Sequence, residues 1–130
     1  MSESILIVDD NIDNLDLTQI VLVGEGFEVR VAQDAEQALK TLKSYRPHLI
    51  LMDIQLPGMD GLELTRRLRL DPALREVIIV ALSAYAMKGD ADNARLAGCD
   101  GYLTKPIDTR TFADAVRGYL RGLRPVASRS

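Results

Sequence analysis

Leu49-Ile50-Leu51-Met52-Asp53 decides the fold: four apolar residues run unbroken into one carboxylate, and Ile54-Gln55-Leu56-Pro57-Gly58 turns the chain straight afterwards. A short apolar run bounded by turn residues reads as a strand buried on both faces, the kind found in parallel sheets. A carboxylate is costly inside such a strand, so Asp53 belongs where the strand ends and the loop begins. In open α/β sheets, ligands bind just beyond the carboxyl ends of the strands. Asp53 is therefore the first candidate for chemistry.

Toward the amino end, Ile5-Leu6-Ile7-Val8 is a second buried run, and it too ends in acid, at Asp9-Asp10. Asn11 can cap a helix over residues 12–23, closed by Gly24 and Gly26. Residues 27–32, where Val29 and Val31 alternate with polar neighbours, read as a more exposed edge strand. Asp34 with Gln37 three residues later matches a capping box, heading a helix that aligns Ala35, Ala38, Leu39 and Leu42.

Toward the carboxyl end, Gly61 opens a helix around Leu62, Leu64, Thr65 and Leu68, and Asp71-Pro72 stops it. Residues 77–82 form the fourth strand and deliver Ser83 to its carboxyl end. Residues 86–97 suit a helix despite Gly89, with Gly98 as terminator. Residues 101–104 are a short fifth strand leading into Lys105-Pro106. Asp108 caps the last helix, whose apolar positions are Phe112, Val116, Tyr119, Leu120 and Leu123. Strand starts near 5, 27, 49, 77 and 100 leave room for one helix in each gap. Repeated βα of that length predicts a parallel sheet with helices on both faces. Residues 1–123 are read as one domain and 124–130 as a flexible tail.

Composition narrows the function classes. A 130-residue chain, 47% hydrophobic and 27% charged, can bury a sizeable core without staples. A formal charge of −3 gives no reason to expect nucleic acid or an anionic membrane as the main partner. One cysteine, Cys99, allows neither an internal disulfide nor a thiolate metal cluster. The acidic start and the lack of a long apolar run predict a cytoplasmic protein.

If the strands are parallel, Asp9, Asp10, Asp53, Ser83 and Lys105 gather at one sheet edge. Clustered carboxylates repel one another unless a cation joins them. Oxygen ligands without His or Cys suit Mg²⁺ (or Mn²⁺), which often meets phosphate oxygens. A lysine and a hydroxyl alongside complement an anion on that metal, so the constellation reads as phosphoryl transfer.

These residues resemble the receiver domains of two-component response regulators over residues 4–123. The shared pattern is an acidic pair after the first strand, an aspartate after the third, Ser or Thr after the fourth and Lys-Pro after the fifth. The spacings of 43 residues from Asp10 to Asp53, 30 to Ser83 and 22 to Lys105 are similar to the family's. Residues 84–90 and 97–102 look most like single-domain regulators of the DivK type and receivers of hybrid kinases. The resemblance implies a flavodoxin-like doubly wound (βα)5 fold, with five parallel strands in the order 2-1-3-4-5. It implies Asp53 as phosphoacceptor and Mg²⁺ held by Asp9, Asp10, Asp53 and the backbone carbonyl of Gln55. Ser83 would bind the phosphoryl group, Lys105 would pair with it through a cis Lys105–Pro106 peptide, and Tyr102 occupies the aromatic switch position.

The donor implied is a sensor histidine kinase or a histidine phosphotransfer protein. The output is a downstream protein contact on the face of the fourth helix, fifth strand and fifth helix. Phosphoryl relay, or service as a hybrid-kinase receiver, is the alternative. Such a protein is a phosphoacceptor switch and not an enzyme. Gln55 and Tyr85 are the residues expected to meet the hydrolytic water, Gln55 by orienting it and Tyr85 by screening it. An aspartyl-phosphate phosphatase usually places its two aspartates one residue apart, whereas Asp9 and Asp10 are adjacent. A nucleotide site on this architecture would want glycines in the first loop, which holds three acids instead. His48 reads as structural, Cys99 as a small filler, and the arginines of the last helix as solvated.

Overall fold

In a computed structural model of the chain, residues 3–83 and 89–122 are described. Five strands, β1 (Ser4–Val8), β2 (Glu28–Ala32), β3 (Leu49–Asp53), β4 (Ile78–Ser83) and β5 (Gly101–Thr104), form one parallel sheet in the order β2-β1-β3-β4-β5. The helices are α1 (Ile12–Gly24), α2 (Ala35–Leu42), α3 (Gly61–Leu70), α4 (Asp90–Ala97) and α5 (Phe112–Leu120), with a 3-10 turn at Pro72–Leu74. None of the described helices is long and apolar enough to cross a membrane.

Strand side chains alternate between two separate cores. Leu6, Val8, Ile50, Met52, Ile79 and Ala81 pack against Ala35, Ala38, Leu64, Leu68 and Ala94, so α2, α3 and α4 cover one face. Ile5, Ile7, Leu49, Leu51, Val80 and Leu82 pack against Leu15, Leu22, Phe112, Val116 and Tyr119, so α1 and α5 cover the other. Burial on both faces is why β1, β3 and β4 are near-continuous apolar runs. β2 lies at the edge and exposes Glu28, Arg30 and Val31; the Arg30 guanidinium stacks 4.1 Å over the Tyr45 ring.

Several boundaries differ from the sequence expectations, each for a local reason. Asp34 caps α2 by accepting from the Gln37 amide, but Gln37 Oε1 accepts from the Gln33 N–H instead of closing a reciprocal box. Gly89 lies outside α4, as its N-cap at φ 92°, a left-handed backbone that costs glycine little. α4 therefore begins at Asp90; residues 86–88 of the expected helix lie outside the described residues. The cap of α5 is Thr111, because Asp108 heads a turn one step earlier, accepting from the Arg110 amide through Oδ1. Leu123 and the expected tail also lie outside the described residues.

Candidate functional site

All five strands run in the same direction, so their carboxyl ends share one sheet edge. β1 ends at Val8 and hands over to Asp9; β3 ends on Asp53, β4 on Ser83, and β5 on Thr104 just before Lys105. Asp9, Asp53 and Ser83 are 0%, 2% and 1% exposed. Buried charges at these positions need partners, and the local chain supplies them. Asp9 Oδ1 accepts from the Asn11 amide at 2.9 Å, and Asp53 Oδ1 accepts from the Gln55 amide at 2.9 Å. The second oxygen of each carboxylate faces the same ammonium: Lys105 Nζ lies 2.9 Å from Asp9 Oδ2 and 3.1 Å from Asp53 Oδ2.

The route that brings Lys105 there is a backbone one. Its amide donates to the Ser83 carbonyl at 2.7 Å, extending the β4–β5 ladder by one bond, and the Lys105–Pro106 peptide is cis, as expected. Asp10 completes the acidic group from an exposed position. One oxygen from each of Asp9, Asp10 and Asp53 can lie within 4.8 Å of the others. This all-oxygen set suits a hard divalent cation of the Mg²⁺ class.

Electrostatics follow from the burial. Burial is the largest influence on Asp53 and pushes its carboxyl above the ordinary 3.8, and the neighbouring Asp9 charge adds to it; the Gln55 amide and Lys105 offset only part. Burial also disfavours the Lys105 ammonium, yet its hydrogen bonds and charge interactions with Asp9 and Asp53 prevail and hold it above the usual lysine range. A raised carboxyl binds its proton more tightly folded than unfolded. That contribution to stability is complete below about pH 3.8 and is lost as pH rises through the folded pKa. Asp53→Asn, which keeps the shape without the charge, is therefore expected to be more stable than the unsubstituted protein at neutral pH in EDTA. The gain should shrink toward pH 3.8. Urea-unfolding midpoints at the two pH values check it, and a variant less stable at neutral pH contradicts it.

The remaining expected residues fall in three groups. Tyr102 is half-buried on β5 and packs against the core on the α2–α3–α4 face. Gln55 puts its backbone at Asp53 while its side chain is exposed, and Tyr85 lies outside the described residues. His48 stands at the opposite, amino end of the strands, where Nδ1 accepts from the Ser4 amide at 3.0 Å. It is remote from the acids and structural. Cys99 is buried beside Thr65, and burial pushes its thiol up to about 11. One contact had no sequence signal at all: Asn14, in the first turn of α1, donates Nδ2 to Asp9 Oδ2 at 2.5 Å.

Residues 5–117 match the family model of the response regulator receiver domain. The chain is 40% identical over 120 residues to the polar-differentiation response regulator DivK of Brucella anthropi, covering 92% of this chain and 98% of that one. Among solved structures, it superposes on a putative response regulator from Chloroflexus aurantiacus with a TM-score of 0.89 at 31% identity, covering 93% of this chain and 99% of the other. It also superposes, with a TM-score of 0.84 at 33% identity and coverage of 93% and 99%, on the receiver domain of a Pseudomonas aeruginosa sensor histidine kinase that has a magnesium ion coordinated in its active-site cleft. With the sheet order, the acid–lysine edge and these likenesses in agreement, the chain belongs to the response regulator receiver domains of two-component signalling.

Proposed function

We propose that Asp53 accepts a phosphoryl group from the phosphohistidine of a sensor kinase or histidine phosphotransfer protein, and that the modified domain binds a downstream protein. The observation that carries this reading is the Lys105 ammonium between two buried carboxylates, Asp9 and Asp53, at the shared carboxyl edge of the sheet. A carboxylate oxygen of Asp53 attacks phosphorus, a P–O bond forms, and the P–N bond breaks with its electron pair leaving on the imidazole. Negative charge then sits where Lys105 can meet it without a new cation having to be buried. Asp9, Asp10, Asp53 and the Gln55 carbonyl are the groups that would hold Mg²⁺, which supplies charge neutralisation for the phosphoryl oxygens.

Ser83, at the end of β4, is the hydroxyl assigned to the incoming phosphoryl group. Tyr102 on β5 is the residue assigned to carry the change to the α4–β5–α5 face. Docking of the phosphodonor, as distinct from the downstream protein, is supported by α1, which starts beside the acids and leaves Ile12, Leu17, Ile20 and Val23 exposed. The domain is assigned residues 1–123 and a cytoplasmic setting, where such kinases present their phosphohistidine.

Incubation with acetyl phosphate and Mg²⁺, followed by intact mass, tests the reading. One adduct of about 80 Da is expected, absent from Asp53→Ala and formed more slowly in Asp10→Ala at limiting Mg²⁺. An adduct that survives Asp53→Ala would place the acceptor elsewhere. Continuous turnover of a small phosphate ester would make the protein a phosphatase instead.

A further inference from the structure

Asp9 differs from the other two acids in how it is held. Asp53 is fixed by its own loop, through the Gln55 amide, and Asp10 is exposed. Asp9 is fully buried and is held by two groups at the start of α1 besides Lys105: the Asn11 amide on Oδ1 and the Asn14 carboxamide on Oδ2. Asn14 is itself anchored, since its backbone amide donates to Asn11 Oδ1 at 3.0 Å and its carbonyl accepts from the Thr18 hydroxyl at 2.7 Å. Two side-chain torsions therefore separate the Asp9 oxygen from a capped helix end. We propose that Asn14 is a positioning residue of the phosphorylation site, holding Asp9 in the rotamer that offers its carboxylate to a divalent cation. This inference rests on the metal-dependent function proposed above.

Lys105 alone does not fix that rotamer. Its ammonium is a rotatable point charge shared with Asp53, so it follows the carboxylates instead of orienting them. The Asn11 amide pins Oδ1, and the carboxamide, with a planar N–H direction and a short stem, pins Oδ2, so the two together fix the plane of the carboxylate. Groups that orient a ligand in this way typically change metal affinity by about 10- to 100-fold when removed. Asn14 is only partly buried and still shares Asp9 with Lys105 and Asn11, so the lower end, about tenfold, is expected.

The test is an amide NMR titration of the full chain with Mg²⁺ alone, following Asn11 and Gln55, whose N–H groups sit on the two acids. Asn14→Ala and Asn14→Leu, the second keeping the bulk without the donor, should both bind Mg²⁺ about tenfold more weakly. Acetyl-phosphate labelling of both should fall at limiting Mg²⁺ and recover at saturating Mg²⁺, a split that general loss of structure would not give. Unchanged Mg²⁺ affinity in a folded Asn14→Leu overturns the role of Asn14 and leaves the proposed function standing. Absence of Mg²⁺ binding in the unsubstituted protein overturns the metal reading itself, and with it this inference.

Discussion

Gly61→Ala is expected to destabilise the protein by about 3 kcal/mol or more and to slow the labelling of Asp53 in whatever remains folded. Gly61 is the first residue of α3, and its amide donates to the Ile54 carbonyl just after β3. A Cβ there would stand 2.2 Å from the Asp53 carbonyl oxygen and 2.8 Å from the Ile54 Cα. Those are backbone atoms at the end of β3, not the tip of a flexible side chain. Alanine normally gains up to about 1 kcal/mol over glycine inside a helix, but that gain is too small to offset a contact of this kind. Either α3 tilts away or Asp53 moves. Urea unfolding and intact-mass labelling measure the two consequences separately. A midpoint equal to that of the unsubstituted protein would show that the α3 start can shift at no cost.

The second large effect belongs to Arg69. Its Nε donates to the Gly98 carbonyl at 2.9 Å. One terminal nitrogen reaches the carbonyls of Leu74, Arg75 and Val77, the closest at 2.8 Å, and the other reaches Asp100 Oδ2 at 2.8 Å. The same Asp100 oxygen accepts from the Ile79 amide at 2.9 Å. One guanidinium therefore ties the end of α3 to the 3-10 turn, the start of β4 and the α4–β5 connection. Arg69→Ala removes the ion pair to Asp100 and the guanidinium hydrogen bonds to the carbonyls of Gly98, Arg75 and Val77, at a cost of about 3 kcal/mol, the pair being mostly buried. Arg69→Lys should recover less than half, because an ammonium cannot span partners arranged around a planar fork. Urea midpoints decide it; near-equality of Arg69→Ala with the unsubstituted chain would mean that water replaces these bonds freely.

Where sequence and structure agree, the signal was local. The apolar runs that became β1, β3 and β4 announce burial on both faces, and βα repetition leaves few ways to connect them. The acids, Ser83 and Lys105 were visible because parallel strands send their terminal residues to one edge, so no distances had to be known. Asn14 and Arg69 were not visible, and the reason is physical. Each reads as a polar residue at an ordinary helix position; Asn14 lies only five residues from Asp9, but it is the turn from β1 into α1 that aims its carboxamide at that acid, and Arg69 has a partner that only folding brings near. For Arg69 that partner is Asp100, 31 residues away. The cap at Thr111 was missed for a smaller reason, since Asp108, Thr109 and Thr111 compete near that helix start and backbone geometry selects among them; Asp60, which accepts from the Glu63 amide, was legible but was passed over for Gly61. Gly61 was read as a helix opener, whereas its requirement comes from the β3 backbone packed against it.

The outer strand β2 bears on how the molecule behaves among copies of itself. A parallel sheet's edge offers a free row of amides and carbonyls, an invitation to strand addition and aggregation. Here the strand is five residues long, with Glu28 and Arg30 turned outward and the Arg30 guanidinium laid over Tyr45. An incoming strand would have to strip water from these two charges as it paired. A short edge that carries charge thus disfavours strand addition through β2.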